Sequence, residues 1–243
     1  MPSVTEHYEN HLAPVYVWMA GGIDSATTRG QAEVDAVCSR PSGAQLAVDL
    51  GAGFGMHAIP LADLGYSVLA IDSSDTLLDT LDRHVGTRPI KTIKDDLLLF
   101  KRHLDGPVAL IVCMGDTLTH LPDRQSVQSL FDDVAESLKD GGTFIVSFRD
   151  YSSALIESKR FIPVRSDADR ILTCFLEYDD GAVTVYDILH ERVGAEWRQR
   201  VSAYRKLRLS PEWVANALEI KGFKVRKEQG LAGMTRLIAG RHL

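Results

Sequence analysis

The stretch Val48-Asp49-Leu50-Gly51-Ala52-Gly53-Phe54-Gly55 restricts this chain more than any other part of it. Gln45 to Leu50 is apolar enough for a buried strand, and Met56 to Leu64 reads as the helix that follows. Glycines at 51, 53 and 55 fill the turn between them. Glycine adopts positive φ freely and lets a ligand approach the backbone closely. A strand, a glycine turn and a helix N-terminus together form a nucleotide-binding element. Asp72 closes the next strand, Ser67 to Ile71, at the distance where such folds set a carboxylate on ribose hydroxyls.

The spacing separates one nucleotide from another. A dinucleotide fingerprint, G-x-G-x-x-G, needs its third glycine at position 56, and position 56 is Met. Asp49, just before the first glycine, is a poor neighbour for a pyrophosphate and a good one for an amine. S-adenosylmethionine (SAM) has no phosphate and carries a sulfonium and an amino-acid tail. On the Gly51–Gly55 turn flanked by Asp49 and Asp72, the chain resembles the class I SAM-dependent methyltransferases. A nicotinamide oxidoreductase is the rival enzyme class, and Met56 and Asp49 speak against it.

Composition narrows the classes further. The 243 residues suffice for one large α/β domain, or a core plus a small insert. A net charge of −6 disfavours a nucleic-acid partner. Cys38, Cys113 and Cys174 are scattered, which favours a reducing compartment and gives no zinc spacing; no metal is expected. The N-terminus lacks a basic segment followed by an apolar run, and no stretch approaches a membrane span. The expectation is a cytoplasmic enzyme with a small-molecule substrate and no membrane partner, its oligomeric state left open.

Along the chain, residues 3–20 read as a helix kinked or broken by Pro14 and ended by Gly21-Gly22. Its Tyr8, Tyr16 and Trp18 fit either an amphipathic helix packed on the domain or a lid over a ligand. A second helix is expected from Thr28 to Cys38. Strands are expected near 45–50, 67–71, 90–94, 107–113 and 142–148, and helices near 55–64, 74–84 and 123–138, the last stopped by Gly141-Gly142. This alternation predicts a doubly wound, mostly parallel, seven-stranded sheet of the Rossmann-like α/β class. After Arg149 three long alternating strands, 171–177, 182–193 and 197–209, predict a small antiparallel β insert, with Asp180-Gly181 as a hairpin turn. Ser210-Pro211 opens a helix to about Lys221, and strands near 223–228 and 235–240 complete the sheet. The segments are therefore 1–150 (N-terminal helices and ligand-binding core), 151–209 (insert, on the substrate side) and 210–243 (C-terminal helix and strands).

Polar groups gather at the strand ends, where ligands bind in such sheets. Asp96 and Leu97 follow the third strand. Cys113-Met114-Gly115-Asp116-Thr117-Leu118-Thr119-His120-Leu121-Pro122-Asp123 ends the fourth and delivers Asp116 and His120. Gly115 to Pro122, with Ser147-Phe148-Arg149-Asp150-Tyr151, Tyr204-Arg205-Lys206-Leu207-Arg208-Leu209-Ser210 and the early aromatic cluster, resembles the glycine and sarcosine N-methyltransferases. That resemblance implies a SAM site in which Asp49, Gly51, Ala52 and Gly53 hold the methionine part. Asp72 and Ser73 take the ribose, and Asp96 and Leu97 frame the adenine. Met114, Gly115 and His120 lie near the sulfonium, Arg29 pairs with the cofactor carboxylate, and Tyr8 and Trp18 close the site. It also implies that Arg149 grips the carboxylate of an amino-acid substrate.

Two departures bear on the substrate. The glycine enzyme has an asparagine where this chain has Asp116, and aromatic residues of that family's insert are replaced here at Val164 and its neighbours. Both count against glycine itself. The expectation is a SAM-dependent methyltransferase acting on a small molecule, at an amine or amino-acid-like nitrogen, with S-adenosylhomocysteine (SAH) as product. Asp116, His120 and Arg149 are its candidate catalytic residues. The alternatives are an O- or C-methyltransferase of a small metabolite, or a SAM-binding protein without catalysis.

Overall fold

Strand and helix alternate from Leu46 to Phe148 in the computed structural model, which describes residues 3–241. β1 (Leu46–Leu50), β2 (Ser67–Asp72), β3 (Ile90–Lys94), β4 (Val108–Cys113) and β5 (Leu138–Phe148) pair in parallel. β10 (Phe223–Gln229) and β11 (Thr235–Arg241) form an antiparallel pair beside β5. The resulting seven-stranded sheet has the order β10-β11-β5-β4-β1-β2-β3. The order reverses between β1 and β4, so a crevice opens beyond their carboxyl ends. The terminal residues 1–2 and 242–243 of the segments expected from sequence lie outside the described residues.

Both faces of the sheet are covered, which is why its strands are nearly unbroken apolar runs. Val48, Leu50, Ile71, Ile111, Phe144 and Val146 pack under α6 (Arg124–Ser137) and α7 (Pro211–Ile220). Ala47, Val68, Ala70, Leu110, Val112 and Ile145 pack under α3 (Ile23–Val37) and α4 (Ala58–Leu64). Asp49 shares the second face and is 1% exposed, a carboxylate inside the core.

Several boundaries differ from the sequence expectation for local reasons. The expected 3–20 helix is α1 (Val4–His7), a π-helical stretch over Tyr8–Leu12 and α2 (Ala13–Met19). Pro14, in the first turn of α2, has no N–H for the preceding turn, and the ladder widens there instead of breaking. α3 begins at Ile23, not Thr28, directly after Gly22 at φ 91°, so Thr28 lies within the helix with its hydroxyl on the Asp24 carbonyl. α6 ends at Ser137, and Gly141, at φ 72°, sits in an irregularity at the start of β5.

The insert has four strands: β6 (Phe161–Ser166), β7 (Arg170–Tyr178), β8 (Ala182–Val193) and β9 (Glu196–Leu207). β6 is an exposed edge strand whose register shifts after Pro163, so it lacks the alternation that betrays the other three. The β7–β8 hairpin lies where Asp180-Gly181 predicts it. Its turn, however, is held by the Asp179 carboxylate, which accepts the N–H groups of Gly181 and Ala182 at 3.0 and 2.7 Å.

Candidate active site

The sheet's carboxyl ends and the N-terminal segment enclose a cavity of about 290 Å³. The glycine turn forms its floor. Gly51 and Ala52 donate their N–H groups to the Ile71 carbonyl, and Gly53 donates to Asp72 Oδ2 at 2.8 Å. These bonds tie the turn after β1 to the end of β2. Asp72 Oδ1 accepts the Ser74 N–H at 2.9 Å. Burial raises the Asp72 carboxyl above its usual range, against the pull of these backbone donors. A side chain at Gly115 would meet nothing within 4 Å, and one at Gly53 only Leu77 at 3.9 Å, so both backbones stand open on the wall.

Beyond β3, Asp95 and Asp96 divide the work. Asp95 is held by His103 at 2.6 Å and Arg102 at 2.5 Å. Asp96 caps the short turn that follows, accepting the Leu98 N–H at 2.9 Å, and stays exposed on the cavity wall beside Leu97 and Leu98. Carboxylate and apolar side chains there suit the edge and face of a purine.

The end of β4 is a buried polar network. Asp116 has φ 78°, a left-handed conformation that turns its carboxylate inward. It pairs with Lys206 of β9 at 2.5 Å and accepts the Tyr151 hydroxyl at 3.1 Å and the Arg149 N–H at 2.8 Å. Burial alone would raise the Asp116 carboxyl, but Lys206 and His120 hold it below the usual range. Burial opposes the Lys206 charge, yet Asp116 and Tyr151 keep its pKa above that of an ordinary lysine. His120 stacks on Tyr204, ring centroids 5.3 Å apart, and its Nε2 lies 3.3 Å from the Tyr8 hydroxyl. Its Nδ1 is buried without a partner. Burial, with Lys206 close by, pushes His120 well below the usual histidine range, so the ring is neutral at pH 7.

The N-terminal segment bridges core and insert. Toward the insert, His7 meets Asp187 at 2.9 Å and Ser202 at 2.8 Å, and His11 meets the Asp187 carbonyl at 3.1 Å. Toward the core, Glu9 takes the hydroxyls of Ser74 and Thr76, each at 2.5 Å. Tyr8 and Tyr16 between these anchors face the cavity, and burial raises both phenols.

Of the residues singled out from sequence, Tyr8, Gly51, Gly53, Asp72, Ser73, Asp96, Leu97, Gly115 and His120 lie on this one wall. Asp116 lies directly behind it. Ala52 and Met114 are buried beneath it, as is Asp49, whose carboxyl burial pushes up to about 6. Three residues point elsewhere. Trp18 donates its indole N–H to Asp167 of the insert at 2.5 Å, between the guanidiniums of Arg165 and Arg170. Arg29 binds the Ala20 carbonyl at 2.5 Å and the Ser25 hydroxyl at 2.7 Å, closing the α2–α3 turn. Arg149 is exposed and donates to the Ala232 carbonyl at 2.9 Å. Lys206, Tyr151 and Tyr204 had no role in the sequence reading. The hints were that Tyr151 ends the Ser147–Tyr151 stretch and that Tyr204 and Lys206 share the Tyr204–Ser210 stretch.

Residues 47–142 match the protein family described as the methyltransferase domain. A glycine/sarcosine N-methyltransferase from Parasynechococcus marenigrum is 24% identical over 155 residues, 62% of this chain and 55% of that protein. The glycine N-methyltransferase of Mus musculus is 26% identical over 201 residues, 74% of this chain and 69% of that protein. The chain spans 55–59% of the length of the glycine/sarcosine enzymes it matches. Among solved structures, a methyltransferase from Streptomyces caelestis superposes with a TM-score of 0.77 at 19% identity, covering 97% of this chain and 98% of that one. A SAM-bound amino pentose methyltransferase from Micromonospora echinaspora gives 0.77 at 14%, covering 94% and 95%. These two likenesses are of fold. Residues 47–142 carry a methyltransferase domain, and the chain resembles the glycine and sarcosine N-methyltransferases.

Proposed function

From a class I methyltransferase domain as premise, we propose that this protein transfers a methyl group from SAM to a nitrogen of a small molecule. The observation that carries the reading is the single wall formed by Asp72, the open backbones of Gly53 and Gly115, Asp96 with Leu97, and His120. Most of that wall follows the carboxyl ends of β1 to β4, where ligands of doubly wound sheets bind. Asp72 holds the ribose hydroxyls, Asp96 the adenine amino group and Leu97 the ring face. Met114 and Asp49 support the turn from below. When bound, SAM supplies an electrophilic methyl on a sulfonium.

The chain's own residues hold the nucleophile and exclude water. Tyr8 and Tyr16 cover the cavity, which strengthens electrostatic interactions inside it. Positioning contributes on the order of 7–11 kcal/mol in favourable systems. Where the wall meets a second cavity, the neutral His120 ring and the Tyr8 hydroxyl can take a hydrogen bond from an amine. Asp116 is committed to Lys206, so it orients Tyr151 and the Arg149 backbone and does not bind a second cation.

The test is methyl transfer from labelled SAM to a pool of cell metabolites, with identification of the product. A methylated amine is the expected result. Tighter binding of NAD than of SAH, or labelling only of oxygen or carbon, would contradict the reading.

A further inference from the structure

A second cavity, of about 730 Å³, opens beside the first and shares Val4, His120, Leu121 and Pro122 with it. Its far wall is the β7–β8 turn, Asp180-Gly181-Ala182, with Arg205 to Leu207 of β9. The two cavities therefore meet at His120, beside the Tyr8 hydroxyl.

The charges on this wall indicate what it takes. Two of its three positive groups are paired with carboxylates. Lys206 is paired with Asp116 at 2.5 Å and Arg205 with Asp179 at 2.6 Å. Arg124 reaches the Arg208 carbonyl at 3.3 Å and lies over the Trp213 ring. Arg149, the residue suited to clamping a carboxylate, lies outside both cavities. Asp123 and Asp180 add acceptors at the rim, and the volume far exceeds what the few atoms of glycine need.

We infer that this second cavity is the acceptor site. Its ligand is an amine on an uncharged, hydroxyl-bearing body larger than an amino acid, with the nitrogen delivered at His120. The inference rests on the methyl-transfer reading and deepens it. Methyl transfer forms the N–CH₃ bond as the S–CH₃ bond breaks, the nitrogen lone pair supplies the electrons, sulfur leaves as the neutral thioether SAH, and the surplus proton on nitrogen passes to solvent.

Gly181 offers a clean obstruction. It has no positive φ, and a Cβ there meets nothing within 4 Å, so a side chain enters open space. Gly181→Trp, Gly181→Ala and the unaltered protein are compared with labelled SAM and a metabolite pool supplemented with glucosamine and glycine. SAH affinity is measured by calorimetry for each. The expected result is label in amines with uncharged hydroxylated bodies, a loss of about tenfold or more in Gly181→Trp, little change in Gly181→Ala, and SAH affinity equal in all three. Equal labelling by Gly181→Trp would overturn the acceptor site alone. Label found chiefly in glycine or another amino acid would overturn the ligand class. SAH binding without any labelling by the unaltered protein would overturn the methyl-transfer reading and this inference with it.

Discussion

The cofactor side and the acceptor side of the cavity are built differently. On the cofactor side Gly53, Asp72, Asp96 and Gly115 each follow or end a strand, within a few residues of a turn that fixes them. Gly53 meets Asp72 across two adjacent strands, and Asp96 caps the turn it begins. On the acceptor side the groups come from distant parts of the chain. Lys206 meets Asp116, His7 meets Asp187, and Tyr8 meets His120. A cofactor site made from local turns can be kept while an acceptor site made from long-range pairs is altered. Lys206 beside Asp116 is one such long-range pair.

The largest effect should come from breaking the long-range side. Lys206→Met leaves Asp116 charged, buried and unpaired, and should cost about 3–5 kcal/mol of stability in denaturant titration. Adding Asp116→Asn, which tolerates the left-handed backbone, should recover most of that loss. If the single variant unfolds at the wild-type midpoint, the pair is not the buried anchor described.

Asp49 sharpens the contrast from the core beneath the turn. Its carboxyl protonates at about 6 in the folded protein against an ordinary 3.8, because of burial. The folded state therefore binds that proton more tightly, and the charged form costs stability that is absent below pH 4 and complete above pH 6. Asp49→Asn should gain up to about 3 kcal/mol over wild type at pH 8, with the difference vanishing toward pH 4, from 1.36 kcal/mol per pKa unit. A gain independent of pH would argue against a buried, ionising Asp49.

On the cofactor wall, Asp72→Ala should weaken SAH binding by about 1.5–3 kcal/mol in calorimetry, the scale of hydrogen bonds to a charged group. Unchanged affinity would move the ribose elsewhere. Arg149→Ala should have the smallest effect, within about 0.5 kcal/mol of wild-type stability, as for an exposed residue. A large rise in acceptor KM for this variant would restore the carboxylate clamp that the resemblance implies.

This difference in construction also decided what the sequence could reveal. The parallel core was legible because its strands are buried on both faces and its turns carry glycine at the right positions. Asp72, Asp96 and His120 were legible because a strand end can be counted. Lys206 was not, since nothing in a run of alternating strand residues marks which lysine turns inward. Arg29 and Trp18 were set at the cofactor by the resemblance alone, not by their place at a strand end. They serve instead as a turn clamp and a tie to Asp167. β6 escaped notice because an exposed edge strand with a proline has no inner face to alternate against.

The structure of the protein with SAH bound tests the central claim most directly. The account predicts the ribose hydroxyls on Asp72, the adenine between Asp96 and Leu97, and the sulfur facing His120 where the two cavities meet. A nucleotide bound elsewhere, or a sulfur turned away from His120, would contradict it.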